Sequence, residues 1–567
     1  LMINGISPIT LRDKAGTFIG ARMGRPEKSK MRKLKGSPQT LFPVGEEGGR
    51  LRSFQSALEA GKVTANFPLY YCKSCKQENI YRECIICKSK CAQTYNCRFC
   101  GRTEHQTCKH GQTFPFSQKE IQIKQYFDAA VSKTNIGAYP DLIKGVRGTL
   151  NKNHVIENLA KGILRSKYDL YVNKDGTIRY DMSELPITHF TPSEIGASIE
   201  KLKLLGYAKD IYSKPLEKEN QTLEIFPQDV ILPNGDELTE ESAGNVLTRV
   251  CQFVDDLLVN LYGQEPYYNV KNQDDLIGKL VIGLAPHISA GIVGRIIGFS
   301  KTHALFAHPL YHAAMRRDAD GDEACVLMLM EALLNFSRQF LPDARGSRTM
   351  DAPLVLSATI LPSEVDDMAH RVDVAWRYPL LLYEAALQYK QPWEVNVEML
   401  GSRLNTYLQY EGLGFTHPVS SINSGVNLSA YKTLETMKEK LEGQMKLAEK
   451  IRAVDASLVA QMVIEKHFLK DIKGNLRRFS SQNFRCISCN ESYRRPPLRG
   501  KCACGGKLVF TVSEMSIIKY LEPALSLARS YFVDSYVQQT LEITKTRYLE
   551  VFGKDSEKQE GLGKWFG

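Results

Sequence analysis

The chain has 567 residues, 43% apolar and 24% charged, which allows about three or four packed domains and excludes a disordered, collagen-like or coiled-coil protein. Lys and Arg exceed Asp and Glu by 74 − 63 = +11, a balance that suits an anionic partner. The longest apolar stretch, Leu280 to Phe299, carries His287, Ser289 and Arg295 and so fails as a membrane span; with no secretory core at the start, the expected compartment is the cytoplasm.

Taken in chain order, the opening Leu1-Met2 points to a fragment, a split gene or an unusual start. Residues 11–36 hold nine Lys or Arg against two acids. Within them, Gly20-Ala21-Arg22-Met23-Gly24-Arg25-Pro26-Glu27-Lys28 follows a β-like run, Thr17 to Ile19, and Lys30, Arg32 and Lys33 extend the charge. Glycine lets backbone approach a ligand closely and Arg supplies a fixed cation, so the stretch is either a phosphate-binding loop or a solvated basic one.

Eight of the 14 cysteines lie between Cys72 and Cys108. They include Cys72-x2-Cys75, Cys84-x2-Cys87 and Cys97-x2-Cys100, with Cys91 and Cys108 beside them. A CxxC turn aims two thiolates at one tetrahedral zinc, so eight cysteines could supply two sites; His105 and His110 are spare candidates, and spacing alone leaves the pairing open. Residues 116–265 mix helices and short strands. Ser193-Glu194 opens a predicted helix through Leu205, and Lys174-Asp175-Gly176 lies between Leu170-Tyr171-Val172 and Thr177-Ile178-Arg179-Tyr180 as a hairpin signal.

The sharpest chemical signal is Arg316-Arg317-Asp318-Ala319-Asp320-Gly321-Asp322-Glu323. Three carboxylates alternate with small residues, and Gly321 permits a sharp turn, so all three can aim at one hard cation beside phosphates. An EF-hand is excluded, because Glu323 and Leu329 stand where that motif needs Gly and a bidentate Glu. A long apolar helix is predicted from Glu323 to about Leu341. Upstream, His303, His308 and His312 are candidate ligands, or packing histidines.

Residues 430–466 are predicted as one long helix with Leu434, Met437, Leu441 and Met445 on its buried face. Cys486-x2-Cys489 and Cys502-Ala503-Cys504 then resemble a zinc ribbon with one knuckle a residue short. Residues 470–507 carry ten Lys or Arg against Asp471 and Glu491, and Arg494 and Arg495 between the knuckles suit a phosphate backbone. Four cysteines per site predict about three structural Zn2+ ions in all. A helical stretch over 514–551 leads to the tail Gln559-Glu560-Gly561-Leu562-Gly563-Lys564-Trp565-Phe566. That tail fits a sliding-clamp-binding pattern, in which Leu562, Trp565 and Phe566 form an apolar plug and Gln559 hydrogen-bonds beside it.

Several of these stretches occur in the order of one family. They are Gly20 to Lys28; Val281-Ile282-Gly283-Leu284-Ala285-Pro286-His287; Ala290 to Phe299; His312-Ala313-Ala314 through the acidic loop; Leu333-Leu334-Asn335-Phe336-Ser337-Arg338; Met350-Asp351-Ala352-Pro353-Leu354; and Arg494-Arg495-Pro496-Pro497-Leu498. Together they resemble the large subunit of the archaeal D-family replicative DNA polymerase, over about its C-terminal, catalytic half. The resemblance implies an α+β multidomain protein whose centre is two double-psi β-barrels, as in multi-subunit RNA polymerases. The implied catalytic set is Asp318, Asp320 and Asp322 with two Mg2+ ions, faced by Lys30 and Lys33, with Lys28 a further candidate. Arg22, Arg25, Lys28, Arg295, Arg316, Arg317, Arg494 and Arg495 are the expected DNA or substrate contacts.

Family members often carry Asn where this chain has Asp318, so Asp318-x-Asp320-x-Asp322 matches the RNA-polymerase form of the loop. The implied partners are template–primer DNA, deoxynucleoside triphosphates, a small subunit with 3′–5′ exonuclease activity, the sliding clamp and an N-terminal half if the subunit is split, all in the nucleoid. The competing functions are an RNA-polymerase-like ribonucleotide transferase and a non-catalytic zinc-bearing assembly fragment. The expected domains run 1–66 (basic, part of the first barrel), 67–115 (zinc), 116–265 (mixed accessory), 266–345 (catalytic barrel), 346–475 (helical), 476–512 (zinc ribbon), 513–552 (C-terminal helix) and 553–567 (tail).

Overall fold

Unbroken apolar runs such as Leu280–Leu284 and Ala324–Met328 cannot sit half in water, and they form the central strands of a closed barrel. The computed structural model describes residues 5–6, 37–137, 140–235, 241–286, 288–317, 321–342, 354–388, 390–416, 421–424, 434, 436–451, 454–487, 491–509 and 512–552. These residues fall into two units, one within Arg32–Pro379 and Asn396–Leu428, the other within Leu1–Met31, Leu380–Val395 and Ser429–Gly567.

The larger unit begins with a module built on helix α1 (Phe54–Ala60), capped by the Ser53 hydroxyl, and strand β1 (Val63–Pro68). β1 pairs antiparallel with β2 (Phe116–Ile121), from Val63 opposite Ile121 to Pro68 opposite Phe116, and the cysteine-rich segment is the long connection between them. Helix α2 (Ile123–Thr134) and helix α3 (Leu159–Lys167) close a core of Phe42, Phe54, Phe67, Phe127 and Ile163. α3 also carries Arg165, wholly buried, which grips Glu157 through two bonds of 2.8 and 2.7 Å and donates to the carbonyls of Gln39 and Gly176.

The barrel follows. Its strands are β3 (Tyr180–Pro186), β4 (Asp229–Pro233), β5 (Leu280–Leu284), β6 (Ala290–Ser300), β7 (Ala304–Ala307) and β8 (Glu323–Met328), with helix α4 (Ala243–Leu257) packed beside them and the six-residue helix α5 (Pro309–Ala314) entering β8's loop. The spatial order is β4-β7-β3-β8-β5-β6, and β4 pairs with β6 to close the ring. The β3/β7 and β4/β6 pairs are parallel and the rest antiparallel, as the double-psi barrel requires of strands that cross over one another. Closure leaves the ring without an edge to template aggregation. A short helix, α6 (Leu329–Asn335), follows β8, and β9 (Val355–Ser357) adds to β6 from outside. Two glycines are required here: a Cβ on Gly283 or Gly294 would stand 2.6 or 2.5 Å from the Tyr311 hydroxyl, so both yield the space that seats α5 against the barrel.

The smaller unit contains α7 (Leu380–Leu387), α8 (Met437–Lys450), α9 (Ala456–Val463), a five-residue π turn (Ile464–Phe468) and α10 (Leu469–Ser481). A three-stranded ribbon of β10 (Phe484–Cys486), β11 (Ser492–Tyr493) and β12 (Leu508–Val509) precedes α11 (Met515–Ser530) and α12 (Ser535–Phe552). Leu441, Met445, Phe468, Ile472, Leu521 and Leu541 meet in the core of this bundle.

Several sequence expectations are corrected. The helix expected from Glu323 is strand β8, because both of its faces are covered, and only Leu329–Asn335 is helical. The 193–205 helix is two, Pro192–Ile195 and Ile199–Leu204, separated at Gly196, whose φ of 63° is left-handed. Lys174-Asp175-Gly176 does turn, with Asn173 N–H donating to the Thr177 carbonyl, but the first regular strand begins at Tyr180 and pairs with β7 and β8. The 430–466 helix breaks after Lys450 and restarts behind an Asp455 cap; Leu441 and Met445 are buried as expected, and Leu434 precedes the helix. The 514–551 stretch is likewise two helices. Two barrel strands, β3 and β4, come from the 116–265 segment, so the barrel spans 180–328 rather than starting at 266. The described residues hold one such closed barrel.

Candidate active site and zinc centres

The acidic loop hangs between α5 and β8. His308 caps α5 by accepting from the Leu310 N–H at 3.1 Å through Nδ1, and burial, then the neighbouring His312 and His189, press its pKa down to about 3, which keeps that nitrogen an acceptor. The chain leaves α5 through a left-handed Arg316 (φ 58°) and re-enters at a left-handed Gly321 (φ 87°). Asp318, Ala319 and Asp320 lie outside the described residues, between these two bends. Asp322 is described. Its carboxylate is 26% exposed and stands 3.6 Å from Arg317 Nη1, and its carbonyl accepts from the Glu184 N–H at 2.9 Å. Arg317 also donates to the carbonyls of Arg316 and Glu323, so its guanidinium spans the neck of the loop and offsets part of its charge. Arg316 is exposed. Arg22, Arg25, Lys28, Lys30 and Lys33 lie outside the described residues.

Arg295 points elsewhere than a free cation would. Its Nε and Nη2 each donate at 2.8 Å to the buried Asp229, which also accepts from Tyr207, and the pair ties β6 to β4 at the closing seam of the barrel. Burial raises the Asp229 pKa, opposed by Arg295 and Tyr207. Sequence reasoning missed the other buried charges. Glu331 on α6 accepts from Ile178 N–H and Asn335 Nδ2, and burial lifts its pKa to about 7. Arg179 bonds Asp175 at 2.6 Å and donates to the carbonyls of Pro286 and Ile288, joining the β5–β6 loop to the strand entering the barrel. Glu184 is wholly buried and faces His312. No local pattern marks these groups, because each acquires its partner from more than 100 residues away or through a turn the sequence leaves ambiguous.

The cysteines sort into quartets. Cys72, Cys75, Cys84 and Cys87 converge, and Cys97, Cys100, Cys108 and His110 converge, each set with its ligand atoms within 4.8 Å of one another. Four ligands ~2.3 Å from a tetrahedral zinc stand ~3.8 Å apart, so both sets fit the ion. The knuckle amides are already aimed: the N–H groups of Cys100 and Phe99 lower the Cys97 thiol pKa to about 6. Cys91 lies outside both quartets, with its Sγ 3.8 Å from the Ser89 carbonyl. His110, not Cys91, is the fourth member of the second quartet, with Nδ1 3.0 Å from Cys100 Sγ. His105 joins neither. In the ribbon, Cys486, Cys502 and Cys504 converge despite the shortened knuckle, and Cys489 lies outside the described residues. Arg494 and Arg495 are exposed on the same ribbon. Gln559, Leu562, Trp565 and Phe566 lie outside the described residues.

Comparison with known proteins gives the same picture. Residues 137–440 match the family described as DNA polymerase II large subunit DP2, catalytic domain, and residues 1–106 match its central domain. A DNA polymerase II large subunit of Nanoarchaeum equitans is 46% identical, over 98% of this chain and 48% of that protein. Those of Archaeoglobus fulgidus and Pyrococcus furiosus are 46% and 44% identical, over 99% and 96% of this chain and 50% and 44% of theirs. The chain thus spans about half the length of the relatives it matches.

Proposed function

The chain belongs to the DNA polymerase II large subunit family, and on that premise we propose that it carries the catalytic centre of a template-directed DNA polymerase. Two observations support the reading: the Asp318-x-Asp320-x-Asp322 pattern in the sequence, and Asp322 placed directly before a strand of the closed double-psi barrel, with left-handed bends at Arg316 and Gly321. Carboxylate oxygen is the donor that a hard divalent cation takes. Asp320 and Asp322, assisted by Asp318, would hold two Mg2+ ions, which supply charge neutralisation and a lowered hydroxyl pKa at the primer terminus. The protein's own part is to hold the carboxylates at fixed separation, to screen them through Arg317, and to present Lys30 and Lys33 to the nucleotide phosphates.

Arg316, Arg494 and Arg495 suit contacts to the DNA backbone that fix register without reading sequence. Arg295 acts through the barrel seam. The two quartets and the ribbon are structural zinc centres. In this reading the working enzyme includes the remaining half of the large subunit, a small exonuclease subunit and the sliding clamp bound through residues 559–566, and it acts at the nucleoid. No described helix is long and apolar enough to cross a membrane.

Primer extension by the assembled enzyme tests this reading. Deoxynucleotide addition that disappears in Asp320→Ala/Asp322→Ala supports it, and retained synthesis in that double variant would reject it. The aspartate at 318 favours a second arm with ribonucleotides; equal or faster ribonucleotide addition would replace DNA synthesis with RNA synthesis.

A further inference from the structure

We infer that Glu184 and His312 form a positioning pair that holds the two ends of the acidic loop together, an inference that rests on the polymerase reading above. The ends are defined by backbone bonds. His312, in the last turn of α5, accepts the Arg317 N–H at 3.0 Å through its carbonyl and so fixes where the loop begins. Glu184, in β3, donates its N–H to the Asp322 carbonyl at 2.9 Å and fixes where the loop ends. The side chains of the same two residues then meet: His312 Nδ1 stands 2.9 Å from Glu184 Oε2, and His312 Nε2 stands 3.1 Å from the Leu185 carbonyl. One residue pair therefore bonds both ends of the loop by main chain, and its two side chains stand against each other 2.9 Å apart.

The chemistry of the pair argues for a purpose beyond packing. Both side chains are at least 99% buried. Neither Glu184 oxygen accepts a hydrogen bond in line among the described residues, and the imidazole is the counter-group it meets. A buried carboxylate with so few donors is unfavourable, and an apolar pair of the same volume would serve stability as well or better. Such groups persist where they fix geometry that something else requires. Here that requirement follows from the sequence, in which three carboxylates within five residues repel one another, and fixed ends at Arg317 and Asp322 oppose that repulsion. Supporting groups behind metal-binding residues typically change metal affinity or activity ~10–100-fold when removed.

The test uses the assembled, zinc-loaded enzyme carrying Glu184→Gln, His312→Gln and the double substitution. Binding of Mn2+, as a probe for the divalent cation, is followed by the electron paramagnetic resonance of free Mn2+. Affinity is expected to weaken about 10-fold in each single variant, and the double variant is expected to be no weaker than the worse single. Turnover should fall with it, while the KM for nucleotide and the affinity for primer–template stay at wild-type values. His312→Asn, which can retain the bond to one neighbour, should recover part of the loss. Wild-type Mn2+ affinity in both single variants would overturn the inference, as would additive losses in the double variant. So would a lowered melting temperature with unchanged Mn2+ affinity, which is the signature of packing alone. Failure of the polymerase reading is distinguishable, because it would appear as absent synthesis by the wild-type enzyme.

Discussion

At the scale of single residues, the proposed metal site rests on three aspartates, and buried charges lie behind it. Asp318, Asp320 and Asp322 stand in a local pattern whose chemistry needs no knowledge of the fold. Glu331, Arg165 and Glu184 are ordinary surface residue types by sequence, and only tertiary structure reveals that each is buried. Two predictions belong here. Asp318→Asn is expected to retain more nucleotide addition than Asp320→Ala in steady-state primer extension, because Asn keeps an oxygen that can still face a cation whereas Ala removes it; equal losses would show dependence on the third charge.

The other concerns Glu331, whose pKa is raised by burial to about 7 in the folded protein from 4.5. The folded state therefore holds this proton more tightly than the unfolded state does. Its stabilising share is fully present below pH 4.5 and is lost as pH rises towards 7. Glu331→Gln, which keeps an acceptor for Ile178 and Asn335 and needs no ionisation, should be more stable than wild type at pH 8 by an amount on the order of 3 kcal/mol, seen as a higher unfolding temperature. The difference should vanish at pH 4.5. A melt in which the variant is less stable at both pH values would contradict this account.

At the scale of elements, the strength of a signal followed its locality. CxxC turns mark the cysteine modules, but which four side chains converge depends on how two knuckles fold over each other, and there His110 rather than Cys91 completes the second quartet. His110→Ala is expected to remove one zinc per chain, measured by metal analysis after anaerobic purification, whereas Cys91→Ser leaves zinc content unchanged. The reverse result would restore the all-cysteine pairing. Apolar periodicity found the bundle helices but ran them together, since the breaks at 451–455 and 531–534 cost few residues and leave the pattern in phase. Strand β8 reads as helix from its sequence because an unbroken apolar run has no period that separates the two. The Asp229–Arg295 seam is an element-level bond too. Arg295→Ala leaves the carboxylate buried with Tyr207 alone and should lower stability by about 2 kcal/mol, after allowance for Arg295's partial exposure.

At the scale of the whole molecule, family order identified the centre, yet the borders of the barrel could not be read. Its six strands are drawn from a span of about 150 residues, with helices and loops between them, and nothing in β3 or β4 alone declares a barrel. The tail is also a whole-molecule matter, because its proposed effect is tethering. Trp565→Ala/Phe566→Ala should abolish clamp pull-down and clamp-stimulated primer extension while sparing clamp-free synthesis. Equal stimulation in variant and wild type would remove the tail from the assembly.

The order of barrel strands has a consequence for how the protein is made. β3 ends at Pro186, but its neighbours β7 and β8 begin only at Ala304 and Glu323. At ~5–20 residues per second, a ribosome takes roughly 6–24 s to reach the first of them. Through that interval the nascent chain carries a strand with both edges unpaired, and the bond that holds Asp322 to Glu184 can form only once β8 has been made.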